Sequence, residues 1–262
     1  MVMDLIPALH PAIGQAYRHL FYDGTLKGKE IQIRMLRLYF GRTFPAKTLE
    51  LAPGELITDP PLDEDRYRAL AGLLQDVVTL PDPEDIAMGM GKLLATLHYE
   101  VGVDGSDAEL VLAGDHYHSA RCVVFDYNQV TYWLPRGYLT SDSSCSITPV
   151  GRWTGCTVTD AAKRLALKIH GQEAYYPRYR HKLYPHFASA YRAATQAIME
   201  KHDAPSHVIS IIIPASEAFL QEYERLDQAK RVTRPRLSLA ELEARAAEAA
   251  LAAKVSDISL TE

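Results

Sequence analysis

An α+β fold, with mixed helices, a small mostly antiparallel sheet and an Ala-rich C-terminal helix, is predicted by three observations. Helical and strand periodicities fall in separate blocks rather than in regular alternation. The strand candidates in the middle of the chain follow one another and include a hairpin pattern. The composition, 262 residues with 47% hydrophobic and 23% charged, is that of an ordinary globular chain with ample apolar material for a core.

In chain order, apolar positions at helical spacing with Pro11 at the start predict a helix from Pro11 to Phe21. Asp23 and Gly24 mark a turn. From Glu30 to Tyr39, Ile31, Ile33 and Met35 alternate with Gln32, Arg34 and Leu36, a strand pattern whose polar face carries Gln32 and Arg34. After the turn at Pro60 and Pro61, Asp63 caps a helix to about Val78, with acids in its first turn, and a second helix runs from Pro83 to Tyr99. Glu109 to Ala113 and Arg121 to Asp126 read as strands, the latter turning at Tyr127 and Asn128 into a hairpin partner, Gln129 to Leu134. Residues 138–156 read as loop with short strand pieces. Thr159 to His170 returns to helical spacing, stopped by Gly171, and Pro185 begins a helix to Lys201. The β-branched run Val208 to Ile213, interrupted only by Ser210 and closed by Pro214, reads as a buried strand, followed by a helix from Ser216 to about Arg231. Ser238 and Glu241 have capping-box spacing at the head of the Ala-rich helix Ser238 to Lys254. The expected organisation is one compact domain over 1–232, with a possible subdivision near 105, then a connector and partner-binding helix over 233–262.

No apolar run reaches the roughly 18 residues of a membrane span, and the first 22 residues do not read as a secretion signal, so the expected location is cytoplasmic and off the membrane. Cys122, Cys145 and Cys156 are too few and too irregular for a disulfide framework. The net charge of -5 disfavours a protein that coats nucleic acid, but its distribution is uneven. Residues 51–110 hold 3 basic and 13 acidic residues, and 161–203 hold 8 basic and 3 acidic.

The stretch from Lys163 to Arg192 is the strongest local signal. It contains Lys163, Arg164, Lys168, Arg178, Arg180, Lys182 and Arg192 against the single acid Glu173, interleaved with Tyr175, Tyr176, Tyr179, Tyr184 and Tyr191. Such cations neutralise phosphates and such rings stack on unpaired bases. The predicted nucleic-acid contacts are Lys163, Arg164, Lys168, Tyr176, Arg178, Tyr179, Arg180, Lys182 and Arg192, with Arg34, Arg37 and Arg42 as helpers. The ordinary structural explanation is a basic face paired with the acidic segment, tyrosines packed beneath it.

Other sites have simpler explanations. His116 and His118 alternate behind Asp115 and, with Cys122 or His98, offer imidazoles for a metal, but no second motif accompanies them. Cys145, with His170, His181 or His186, supplies the residue types of a nucleophile without evidence of its geometry, and Cys156 precedes a helix. The glycines at 24–28, 89–91 and 102–105 lack phosphate-loop or dinucleotide spacing, so no cofactor is assigned. The acids at 63–65 and 84–85 suit helix starts. Neither a catalytic residue nor a metal site is assigned. The expected function is a non-catalytic subunit of a multi-protein assembly that contacts nucleic acid, single-stranded by preference, with protein partners or self-association through the C-terminal helix. The alternatives are a structural assembly protein in which basic and acidic regions of neighbouring copies meet, and a His/Cys-dependent hydrolase or metal enzyme.

Overall fold

A computed structural model describes residues 6–22, 33–44, 58–115, 119–125, 129–140, 147–172 and 174–232. Helix α1, Pro11–Phe21, begins with Pro11 in its first turn, and His10 Nδ1 accepts from the Ala12 N–H at 3.3 Å. Its buried side chains Ile13, Ala16 and Tyr17 follow the three-and-four spacing that faces one side of a helix inward. Helix α2, Glu64–Leu74, is capped by Asp63, whose carboxylate accepts from the N–H of Arg66 at 2.9 Å and of Phe44 at 2.6 Å. Helix α3, Pro83–Ala95, continues into one π-turn, Thr96–Val101, that ends at Gly102 in the left-handed region.

The sheet is mixed, in the order β2-β1-β3-β4. β1, Leu36–Leu38, pairs in parallel with β2, Pro61–Leu62, and antiparallel with β3, Glu109–Gly114. β3 and β4, Ala120–Phe125, form the long antiparallel ladder, Glu109 opposite Phe125 through Gly114 opposite Ala120. Helices α4, Val158–Gly171, and α5, Tyr184–Lys201, then lead to α6, Ser206–Val232. The α+β class holds, and two of the three strand pairings are antiparallel.

Three segments differ from expectation. Val208–Ile213 is not a strand but the first turns of α6, and the expected break at Pro214 lies inside that helix. Val208, Ile212, Ala215, Phe219 and Tyr223 are buried at helical spacing, while Ile209, Ile211 and Ile213 cover its flanks, so the run is apolar on nearly every side. With Ser210 its only polar residue, the run carries no period that separates helix from strand. Pro214 withholds one helix N–H, and nearby the Ser216 hydroxyl donates to the Ile213 carbonyl at 2.8 Å.

Gln129–Leu134 makes no hairpin with β4. Tyr132 bridges Val103 instead, Trp133 N–H donates to the Gly102 carbonyl at 2.9 Å, and its indole donates to the His98 carbonyl at 2.9 Å. In place of strand pieces, the described parts of 138–156 hold two short 3-10 turns, Tyr138–Thr140 and Gly151–Trp153. The expected strand at 30–39 is regular only over Leu36–Leu38, and its phase shifts: Ile33, Leu36 and Leu38 are buried, Arg34 is exposed and Met35 half-buried. The turn at Asp23 and Gly24, residues 30–32, and the helix Ser238 to Lys254 lie outside the described residues.

Met1–Leu226 forms one compact unit and Asp227–Glu262 a second, described only to Val232. In the first unit, α3 packs along α5, with Ile86, Met90 and Leu94 on one side and Phe187, Tyr191 and Ile198 on the other. The close approach is made at Gly91, where an added Cβ would stand 2.2 Å from the Phe187 carbonyl oxygen. Gly89, two residues earlier in the same helix, has nothing within 4 Å of that position. Gly91→Ala is therefore expected to lower stability by about 1–3 kcal/mol through overpacking. Gly89→Ala is expected to raise stability by about 0.5–1 kcal/mol through helix propensity. Urea unfolding of the two variants measures both, and equal effects would contradict the close approach.

Candidate functional site

The basic, tyrosine-rich segment spans α4, an irregular stretch and the first turns of α5. Prolines 177 and 185 and the turns at 178–183 hold the stretch out of helix, so its side chains point both inward and outward. Tyr175, Tyr176, Tyr184 and Tyr191 point inward and are buried. Tyr175 stacks on Tyr39 with ring centres 5.0 Å apart, and Tyr184 and Tyr191 donate to Glu224 and to Tyr99 at 3.0 and 3.2 Å. Tyr176 packs on Phe187 and presents no ring face to solvent; Tyr179 alone is half-buried, edge-on to Tyr184.

Most of the cations are engaged as well. Lys182 Nζ lies 2.8 Å from Glu64, whose side chain is 3% exposed and also meets Arg68 at 2.5 Å and His181 at 3.0 Å. Burial pushes the Glu64 carboxyl up, but Lys182, Arg68 and His181 outweigh it and hold it below the usual range. Arg192 pairs with Glu217 at 2.8 Å. Arg178 donates to the His170 carbonyl at 3.0 Å and lies over the Tyr223 ring at 5.5 Å. Lys163, Arg164 and Arg180 are exposed and make no ion pair among the described residues, although Lys163 is near enough to help hold the Glu222 carboxyl down. Arg164 also stands at the wall of an open cleft of about 930 Å³ between the first turn of α4 and α6, beside Thr157, Ser210 and Pro214.

Lys168 belongs to a different constellation. Its ammonium lies 2.7 Å from Asp104 Oδ2, which also meets the Arg152 guanidinium and the Thr131 hydroxyl. Asp104 has a side chain 0% exposed; its other oxygen accepts from Ser106 N–H and Oγ at 3.3 and 3.1 Å and from Thr131 N–H at 3.3 Å. Burial opposes ionisation, yet Lys168 and Thr131 outweigh it and place the carboxyl far below its ordinary value. Sequence reasoning missed this acid. The available signal was Gly102 and Gly105 on either side of it, at φ +79° and +56°, where a tight turn aims the carboxylate inward.

Beside it, His98 occupies the π-turn, wholly buried against Tyr99, Trp133, Tyr191 and Phe219. Its Nδ1 lies 2.8 Å from the Tyr191 hydroxyl, which in turn lies 3.2 Å from that of Tyr99. Burial pulls this imidazole down to about 4, against the smaller opposing pull of Asp104.

Among the helper arginines, Arg37 is bound between Asp59 and Glu109 at 2.5 and 2.6 Å, and Arg42 lies over the rings of Tyr39 and Phe44; Arg34 is exposed. His116, His118 and Cys145 lie outside the described residues. Asp115 accepts from the N–H and hydroxyl of Ser119, closing the turn between β3 and β4. Cys156 donates to the Trp153 carbonyl at 3.0 Å, and burial pushes the Cys122 thiol up to about 12, which disfavours its thiolate. Asp63 acts as the expected cap, whereas Glu64 beside it gathers cations. Among the described residues, no group of three or more His, Cys, Asp or Glu is placed to hold a metal ion, and no helix is long and apolar enough to cross a membrane. No family model matches the chain, and neither a curated protein nor a solved structure matches it.

The buried His98 fixes a sign for pH dependence. Its folded pKa lies below the unfolded value, so the unfolded chain binds the extra proton first, and stability is present above about pH 6.5 and falls as pH drops toward 4. The loss from this group alone is expected to be roughly 3 kcal/mol. Denaturant unfolding between pH 7 and 4 should show a shallower dependence for His98→Gln than for the native chain; equal slopes would exclude the ring as the source.

Proposed function

We propose that this chain is a non-catalytic subunit of a multi-protein assembly that contacts nucleic acid through Lys163, Arg164 and Arg180. The observation that carries the reading is that these three cations of the basic segment are exposed and make no ion pair among the described residues, whereas Lys168, Lys182 and Arg192 are held by acids of the same chain. Phosphate oxygens are the counter-charges such exposed heads suit.

Burial of Tyr176 changes the expected chemistry. With that ring in the core, base stacking falls to the half-buried Tyr179, and the contact is directed at the backbone and tolerant of sequence. The preference for single strands then rests on Tyr179 alone. The cleft beside Arg164 gives a strand room to lie against α4.

Replacing Lys163, Arg164 and Arg180 together by Gln tests the reading without disturbing any ion pair among the described residues. Binding of a fluorescent single-stranded oligonucleotide should weaken, and the slope of log affinity against log salt should fall by about 2, near 0.7 for each lost phosphate contact. Tyr179→Ala should reduce affinity with little change in that slope. An unchanged titration for the triple variant would refute the assignment.

A further inference from the structure

Among the described residues, Leu167, Val77 and Leu73 are the most exposed large hydrophobic side chains, at 56%, 54% and 51%. They fall in two places of opposite charge. Leu73 lies in the last turn of α2 and Val77 just beyond it, with the exposed Asp76 between them. Asp82 and Asp85 follow, exposed, at the start of α3. Asp76, Asp82 and Asp85 make no ion pair among the described residues. Leu167 lies on α4 three and four residues after Arg164 and Lys163, so all three share its outward face. One stripe is thus apolar and acidic, the other apolar and basic.

Each stripe is open to solvent, so neither satisfies the other within one copy. We infer that they dock between two copies of this chain, the end of α2 on one copy lying against α4 of the next. Leu73 and Val77 would cover Leu167, while Asp76 and Asp82 would face Lys163 and Arg164. Every copy offers one stripe of each kind, so the contact is either reciprocal, closing a two-fold pair, or head-to-tail, closing a ring or extending as a filament. Three half-exposed side chains are far less than the ~800 Å² per partner of a standard interface, so the association is weak, with a dissociation constant on the order of 0.1 mM. The inference does not rest on nucleic-acid binding, but it shares Lys163 and Arg164 with it, so a polyanion competes with the second copy.

Two charge-reversed variants test it by sedimentation velocity at about 0.5 mM protein, a concentration above that dissociation constant. One carries Asp76→Lys with Asp82→Lys, the other Lys163→Glu with Arg164→Glu. These residues are exposed, and Asp82 makes no side-chain capping bond, so circular dichroism should report both variants folded. The native chain should associate at low salt and dissociate in 0.5 M salt, as expected for charged contacts at the surface. Each variant alone should sediment as a monomer. Mixed one to one, they should associate again, because the reversed α2 of the first variant then meets the reversed α4 of the second. A native chain that stays monomeric, a variant that associates unaided, or a mixture that stays monomeric would each overturn the inference. The first variant leaves Lys163, Arg164 and Arg180 intact, so its oligonucleotide titration reports on the nucleic-acid reading separately.

Discussion

A carboxylate taken out of water must find cations and donors or give up its charge, and Asp104 is the place where this chain meets that demand most fully. Its two oxygens draw in Ser106 from its own turn, Thr131 from the segment after β4, Arg152 from a 3-10 turn and Lys168 from α4. Four separate stretches of chain are therefore tied to one buried charge. The same pull accounts for the fate of Gln129–Leu134, which pairs with residues 102–104 rather than with β4. Trp133 follows Thr131 into this region and covers His98, so the charged cluster and the aromatic core share a wall.

The uneven charge of the sequence resolves into local compensation. Glu64, Glu100 and Asp104, all from the acidic segment, hold Lys182, Lys201 and Lys168 from the basic one. The contacts differ in strength. Glu64 and Asp104 are almost wholly shielded from water, where a missing partner is costly, whereas the Glu100 pair is largely exposed and contributes little. Compensation also decides what the surface offers. Among the described residues, Lys163, Arg164 and Arg180 make no ion pair with an acid of the chain and stand exposed, and so do Asp76, Asp82 and Asp85 with respect to its cations.

The amphipathic helices were legible in the sequence because Pro11, Asp63, Pro83, Gly171 and Pro185 punctuate them and their buried faces repeat at helical spacing. The strands β3 and β4 were legible from β-branched content, but their pairing was not: the turn signal at Tyr127 and Asn128 pointed β4 to Gln129–Leu134, whereas β4 pairs with β3. Val208–Ile213 was not legible, because with Ser210 its only polar residue the run carries no period that separates a helix from a buried strand. In the candidate site, the density of cations and tyrosines was plain, but the direction of each side chain was not. Tyr176 and Tyr179 stand three residues apart in an irregular stretch, and no period in the sequence says that one enters the core while the other stays at its edge. Long-range partners were equally hidden: Lys168 and Asp104 are 64 positions apart.

The central claim is that buried acids of the chain hold the cations of its basic segment in place. A double-mutant cycle between Asp104→Asn and Lys168→Met, read by equilibrium unfolding at pH 7, measures that hold directly. The account expects a coupling energy of about 1.5–3 kcal/mol, the upper part of the roughly 0.5–3 kcal/mol seen for groups sharing one network, because Asp104 is fully buried. A coupling below about 0.5 kcal/mol, as exposed pairs show, would contradict it and return Lys168 to the surface available for partners.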